Sequence, residues 1–260
     1  MLEYELMKAY SNISCFSTTR MGGCSKGDYA SLNCTHYCGD RIDDVMANRE
    51  ILMDTLPQRP LELIIPHQTH TDHVLEVDEA FLALNPSQRR LALEDVDALV
   101  TSIPGCCICV STADCVPVMI FDPEHLVVAV VHAGWRGTVS RIAENTIRLM
   151  KERFGTHANA VKACIGPSIS LDAFEVGDEV YQAFSDAHFD MERIALRKEK
   201  WHLDLWEANR LQLLNQGVCP DNIEITGVCT YKQYDQFFSA RRLGIRSGRI
   251  LSGIMLHQKD

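Results

Sequence analysis

Several things are scarce in this 260-residue chain. No run of 18 or more apolar residues occurs, so no membrane-spanning helix is expected. The opening MLEYELMKAYSN has no basic segment followed by an apolar one, so no secretory leader is expected and a cytoplasmic location is. Positive charge is outnumbered: 25 Lys and Arg stand against 35 Asp and Glu, a net charge of −10. That balance argues against nonspecific binding to nucleic acid or to an anionic membrane, while leaving room for a local basic pocket. There is no internal repeat and no low-complexity linker, and one domain over residues 1–260 is the simplest organisation.

Cysteine, by contrast, is abundant, with eleven residues. The number is odd, and Cys106, Cys107 and Cys109 sit inside one apolar run. Most are therefore read as small buried hydrophobes in a reducing compartment rather than as a disulfide framework.

The most informative stretch is 111–137, STADCVPVMIFDPEHLVVAVVHAGWRG. It holds two apolar runs, Val116–Phe121 and Leu126–Val131, with Cys115 just before the first and His132 just after the second. Antiparallel pairing through a turn at Asp122–His125 would bring Cys115 and His132 to the same end of a hairpin. Their separation of 17 residues equals two strands of about six residues plus a short turn. On spacing alone three readings stand level. The two residues are zinc ligands with a third from elsewhere, in the open pattern that lowers the pKa of bound water to about 7. Or Cys115 is a thiolate nucleophile with His132 as its base. Or they are a buried thiol beside a structural imidazole.

A third ligand could come from LIIPHQTHTDHVLEV, where His67, His70 and His73 recur every third residue. In an extended segment His67 and His73 would share a face and His70 would point the other way. The runs 97–101, 106–111, 116–121 and 126–131 are apolar on both faces, which requires sheets covered by helices or by another sheet. Helices are expected over 43–56 (Asp43 or Asp44 as cap, Arg49 on its apolar stripe), over 138–154 with Gly155 as stop, over 176–184, and over 204–215 with Asp204 as cap. The turn 134–137 between strand and helix would offer free N–H groups to an anion, flanked by His132 and Arg136. Near the C-terminal end, Arg241, Arg242, Arg246 and Arg249 place four guanidinium groups within nine residues, a density suited to phosphate or carboxylate.

Taken in order, FSTTRMGGCS, SLN, Asn48-Arg49, HQTH, DALVT, ADCVPV, HAGWRG, IGP followed by FEVG, and FFSARR with GR span nearly the whole chain. In these the sequence resembles the YfiH/YlmD family, also called the multicopper polyphenol oxidoreductase or laccase-domain family, which is FAMIN-related. The resemblance implies an α+β fold, a single domain with central mixed β-sheets flanked by helices. It implies a mononuclear zinc on His70, Cys115 and His132, which would then be the catalytic centre. It implies a purine nucleoside phosphorylase, acting on adenosine, inosine, guanosine and methylthioadenosine, with adenosine deaminase activity. Phosphate would attack ribose C1′ in the first reaction, and hydroxide purine C6 in the second. Arg20, Arg49, Arg136 and Arg241 are the candidates for phosphate or ribose contacts by charge and motif position. A metal-free Cys–His hydrolase and a copper-dependent polyphenol oxidase (laccase) are the alternatives, with copper in place of zinc for the latter. Two departures from the family pattern stand out: Thr71 where Gly often follows the motif histidine, and Ser168 where Cys is common.

Overall fold

The computed structural model describes residues 1–259. Its frame is four layers deep, and strand alternation explains why. In the strand Val116–Asp122, Val118 and Ile120 face one way, toward Ile142, Ile147, Met150, Ala208 and Leu213. Met119 and Phe121 face the other way, toward Ile108, Val110 and Ile254. The first face meets the helices Ile142–Phe154 and Leu205–Asn215, and the second meets another sheet. Both faces are therefore buried, as the unbroken apolar runs require.

The six-stranded sheet runs in the order 223–225, 162–165, 116–122, 127–133, 98–101, 74–76, with parallel pairing only at its two edges. The facing five-stranded sheet has the order 2–3, 13–17, 250–256, 106–112, 62–64. Its outer side carries Phe16, Cys107, Cys109, Leu251 and Met255, covered by Leu52 and Leu56 at the end of the helix Ile42–Thr55. A small three-stranded sheet lies apart, in the order 175–176, 201–203, 195–197. These are the expected mixed sheets flanked by helices.

The hairpin forms in the expected register, with Val116 opposite Ala133 and Pro117 opposite His132. Its turn is made by Asp122, whose Oδ1 accepts from the N–H groups of Glu124 (2.9 Å) and His125 (3.1 Å), an Asx-type turn. Asp204 caps its helix as read, accepting from Glu207 N at 3.0 Å. Gly155 ends the helix Ile142–Phe154 in the left-handed region, with φ 74°.

Three expectations change. The helix expected over 138–154 is two helices, Trp135–Val139 and Ile142–Phe154, broken where Arg141 takes φ 64°. The apolar stripe runs across the break, so periodicity could not reveal it. The first helix starts from Arg41 with no capping side chain; Asp43 and Asp44 lie inside its first turn, where they favour the positive end of the helix dipole. The helix expected over 176–184 is Asp178–Asp186, and Val176 pairs instead in the small sheet. All eleven cysteines are free thiols.

Candidate metal centre

Cys115 ends the loop that leads into the strand Val116–Asp122, and His132 is the penultimate residue of the strand Val127–Ala133. Hairpin pairing therefore sets them side by side. His70 arrives from a loop and adopts φ 69°, a left-handed conformation unusual for a residue with a Cβ. Its Nε2 lies 3.7 Å from Cys115 Sγ, and its ring meets that of His132 edge-on with centroids 4.9 Å apart. One ligand atom from each of His70, Cys115 and His132 lies within 4.8 Å of the other two. Gly134 makes this approach possible: a Cβ there would stand 2.7 Å from His70 Cδ2 and 3.1 Å from Cys115 Sγ.

The other two histidines, His67 and His73, go elsewhere. His67 Nδ1 pairs with Glu94 at 2.5 Å, and His73 is exposed, its carbonyl bonded to the N–H groups of Asp97 and Ala98. The odd–even argument set His70 apart from His67 and His73, and so does the structure, although side-chain bonds to a loop rather than strand pairing hold it there.

Those bonds come from Asp97, a residue that sequence reading passed over as the border of the strand Ala98–Thr101. It is fully buried. Its Oδ1 accepts from His132 Nδ1 (2.6 Å) and His70 N (3.1 Å). Its Oδ2 accepts from Thr69 N (3.1 Å), Thr71 N (2.9 Å) and Thr71 Oγ1 (2.9 Å). One carboxylate thus orients the His132 ring and imposes the strained backbone at His70. Thr71, the departure from Gly, uses its hydroxyl to take part in the same clamp. The available signal was an acidic residue directly before an otherwise apolar strand, where a buried charge demands partners.

The electrostatics are those of a thiolate–imidazolium cluster in the metal-free chain. Burial pushes the Cys115 thiol up, but His132 and His70 outweigh it and bring the pKa down to about 6. Burial pulls the His132 imidazolium down, while Cys115 and Asp97 raise it to about 9. Burial raises the Asp97 carboxyl, yet His132 and Thr71 together hold it below the usual carboxylate range. Two imidazoles and a readily ionised thiol are a donor set suited to zinc, with His132 oriented through its other nitrogen by a carboxylate, as in many metal sites.

The three residues open on a cavity of about 250 Å³, whose wall also includes Tyr37, Gln68, Ser111 and Arg249. Gln68 is fixed by two hydrogen bonds to the Ser111 backbone: its Oε1 accepts from Ser111 N at 2.7 Å and its Nε2 donates to Ser111 O at 2.9 Å. Of the four arginines expected near substrate, none lines this cavity. Arg49 faces a neighbouring cavity of about 690 Å³, which shares Tyr37 with the first. Arg20 bonds the carbonyls of Ala30 and Tyr234, Arg136 lies over the Trp135 ring, and Arg241 bonds the Glu175 carbonyl beside Phe174. Arg249 is the guanidinium that does reach the wall; the arginine-dense segment pointed to the region but not to the residue. Asp114, at φ 84°, ties that segment to the hairpin by accepting from Thr230 Oγ1 and Arg241 N, each at 2.7 Å. Ser168, the other departure, is buried and accepts from Trp206 Nε1 at 2.6 Å.

Comparison with known proteins agrees with this architecture. The family model described as multi-copper polyphenol oxidoreductase laccase matches residues 14–257. The chain is 55% identical over 261 residues to a purine nucleoside phosphorylase of Bacteroides thetaiotaomicron, covering 99% of this chain and 97% of that one. It is 43% identical to adenosine deaminase RL5 from an unknown prokaryotic organism, covering 98% of this chain and 99% of that one. The crystal structure of YlmD from Geobacillus stearothermophilus superposes with a TM-score of 0.87 at 31% identity, covering 95% of this chain and 93% of that one.

Proposed function

We propose, from the premise that this chain belongs to the multi-copper polyphenol oxidoreductase laccase family, that it is a purine nucleoside phosphorylase with adenosine deaminase activity and that zinc is its metal. His70, Cys115 and His132 hold the metal. Its convergence on one cavity wall is what carries the reading, because three donors with room for a further ligand suit a catalytic rather than a closed structural centre. Bound zinc supplies Lewis acidity at that wall.

The chain's own residues then do the rest. Asp97 keeps the proton on His132 Nδ1, so His132 Nε2 faces the metal position. Tyr37, Gln68 and Ser111 form a rigid polar wall beside which a purine and its ribose fit. Arg249 offers a guanidinium whose partners are all backbone carbonyls, leaving its charge uncompensated for phosphate. Arg49 lines the adjoining cavity, which shares Tyr37 with this one, and offers a second guanidinium there. Arg20, Arg136 and Arg241 lie outside this wall. The described residues work as one domain, since the first strand, Leu2–Glu3, and the last, Ile250–Leu256, are both joined to the strand Ile13–Ser17, and the free thiols suit the reducing cytoplasm.

Incubation with adenosine, with and without phosphate, tests the reading by product mass. Adenine with ribose-1-phosphate reports phosphorolysis, and inosine or hypoxanthine reports deamination. Neither product appearing would reject it. A metal-free Cys–His hydrolase is the second reading, favoured by the low Cys115 pKa. Zinc at one equivalent in protein purified without added metal decides for the first.

A further inference from the structure

The cavity beside the candidate metal centre is lined mostly by polar side chains, and Ile245 is the one aliphatic side chain larger than alanine in its wall. We propose that Ile245 is a substrate-contacting residue that covers the face of the purine ring and sets the affinity for the base. This rests on the proposed nucleoside chemistry and adds to it a specific contact, outside the metal ligands and outside the arginines.

Three observations carry this. Ile245 is 79% exposed, more than any other large apolar side chain among the described residues. An exposed aliphatic group standing alone on a surface needs no explanation. Ile245, however, borders the cavity onto which His70, Cys115 and His132 open, so a molecule seated against those donors finds apolar area there to bury. The second observation is size. At about 250 Å³ the cavity is small for a ligand site, so a nucleoside fills it and comes against Ile245.

The third is that the loop presenting Ile245 is braced. Gly244, at φ 91°, turns the chain out of the short helix Ala240–Leu243. Arg249 Nη2 donates to the Ile245 carbonyl at 2.9 Å, and its Nη1 donates to the carbonyls of Ser247 (2.6 Å) and Gly248 (3.1 Å). Ser247 Oγ donates to the Gly244 carbonyl at 2.7 Å, and Gly248 N to that of Asp28 at 3.2 Å. An apolar group on a fixed backbone loses little freedom when a ligand covers it. Of the two halves of a nucleoside, the purine has the broad apolar face. The ribose carries hydroxyls, which suit the polar remainder of the wall.

Steady-state kinetics with adenosine and phosphate on the metal-loaded protein test this. Ile245→Ala should raise KM for adenosine about tenfold. The change should fall on KM rather than kcat, because a contact away from the reacting atoms binds ground state and transition state alike. The inhibition constant of adenine, which has no ribose, should rise by the same factor. Ile245→Leu, which returns the apolar area, should restore most of the affinity lost in Ile245→Ala. The thermal midpoint should not move in either variant, since the side chain is exposed. Adenosine binding by isothermal titration calorimetry separates the contact from the reaction. A wild type that binds adenosine and converts none rejects the reaction, and about tenfold weaker binding by Ile245→Ala would then still support the contact. Unchanged KM and binding in Ile245→Ala, a loss confined to kcat, an adenine constant that does not follow KM, or a wild type that binds no adenosine overturns the proposal.

Discussion

At the scale of single residues, Asp97 is the position on which the centre depends without being one of its ligands. Asp97→Asn keeps the shape but cannot accept from all five donors, because its amide presents N–H toward some of them. Zinc affinity should fall on the order of 10–100-fold, measured by competition with a chelating dye. Unchanged affinity would mean that the carboxylate merely fills space. Cys115→Ala should remove zinc and both activities together, and turnover in a chain without bound metal would reject the zinc centre. In metal-stripped protein the thiolate form of Cys115 exists above its pKa of about 6 and is lost as pH falls through it. Alkylation by iodoacetamide, followed by mass spectrometry of the Cys115 peptide, should therefore run with a midpoint near pH 6, and zinc should block it. An ordinary thiol midpoint, above about 8, would contradict the imidazolium contacts.

At the scale of elements, the hairpin is held at both ends by aspartates, Asp97 beside the centre and Asp122 at the turn. Burial pushes the Asp122 carboxyl up, but Thr156, His125 and the turn N–H groups outweigh it and hold it below the usual range. A depressed folded pKa stabilises the fold fully above the unfolded carboxyl value, about 3.9. That contribution is lost as pH falls through the lower, folded value. Asp122→Ala should thus cost about 1–3 kcal/mol at pH 7, where two turn N–H groups lose their acceptor, and less in strong acid. Urea melts at the two pH values check this, and an equal loss at both would exclude a role for the charge. How the strand runs pair was legible in the 17-residue spacing of Cys115 and His132. The break at Arg141 was not, since an apolar stripe records only which face is buried.

For the whole molecule, every cysteine is a free thiol, and the proposed metal would add a link between the His70 loop and the hairpin to the one Asp97 already makes. Stripping it with a chelator should lower the thermal midpoint. With free zinc a hundredfold above its dissociation constant the loss is about 2.7 kcal/mol. That corresponds to a drop of about 5–10 °C. Reductant alone should leave the midpoint unchanged, and a large reductant effect would indicate disulfides that this fold does not contain.

By itself the sequence determined what depends on local order: the strand runs, the Gly155 and Asp204 helix ends, the excess of acidic charge, and the pairing of Cys115 with His132 across one hairpin. A hairpin's register follows from chain spacing, so neighbours within it can be read directly. The third ligand was different, because His67, His70 and His73 are equivalent in spacing. The family motif picked out His70, and the folded chain supplies the physical reason through Asp97, which reaches this loop from 27 residues further on and holds His70 alone toward Cys115. The same holds for Arg249 over Arg20, Arg136 and Arg241. A long, flexible cation carries no direction in its sequence position, and the wall it joins is assembled from segments more than a hundred residues apart.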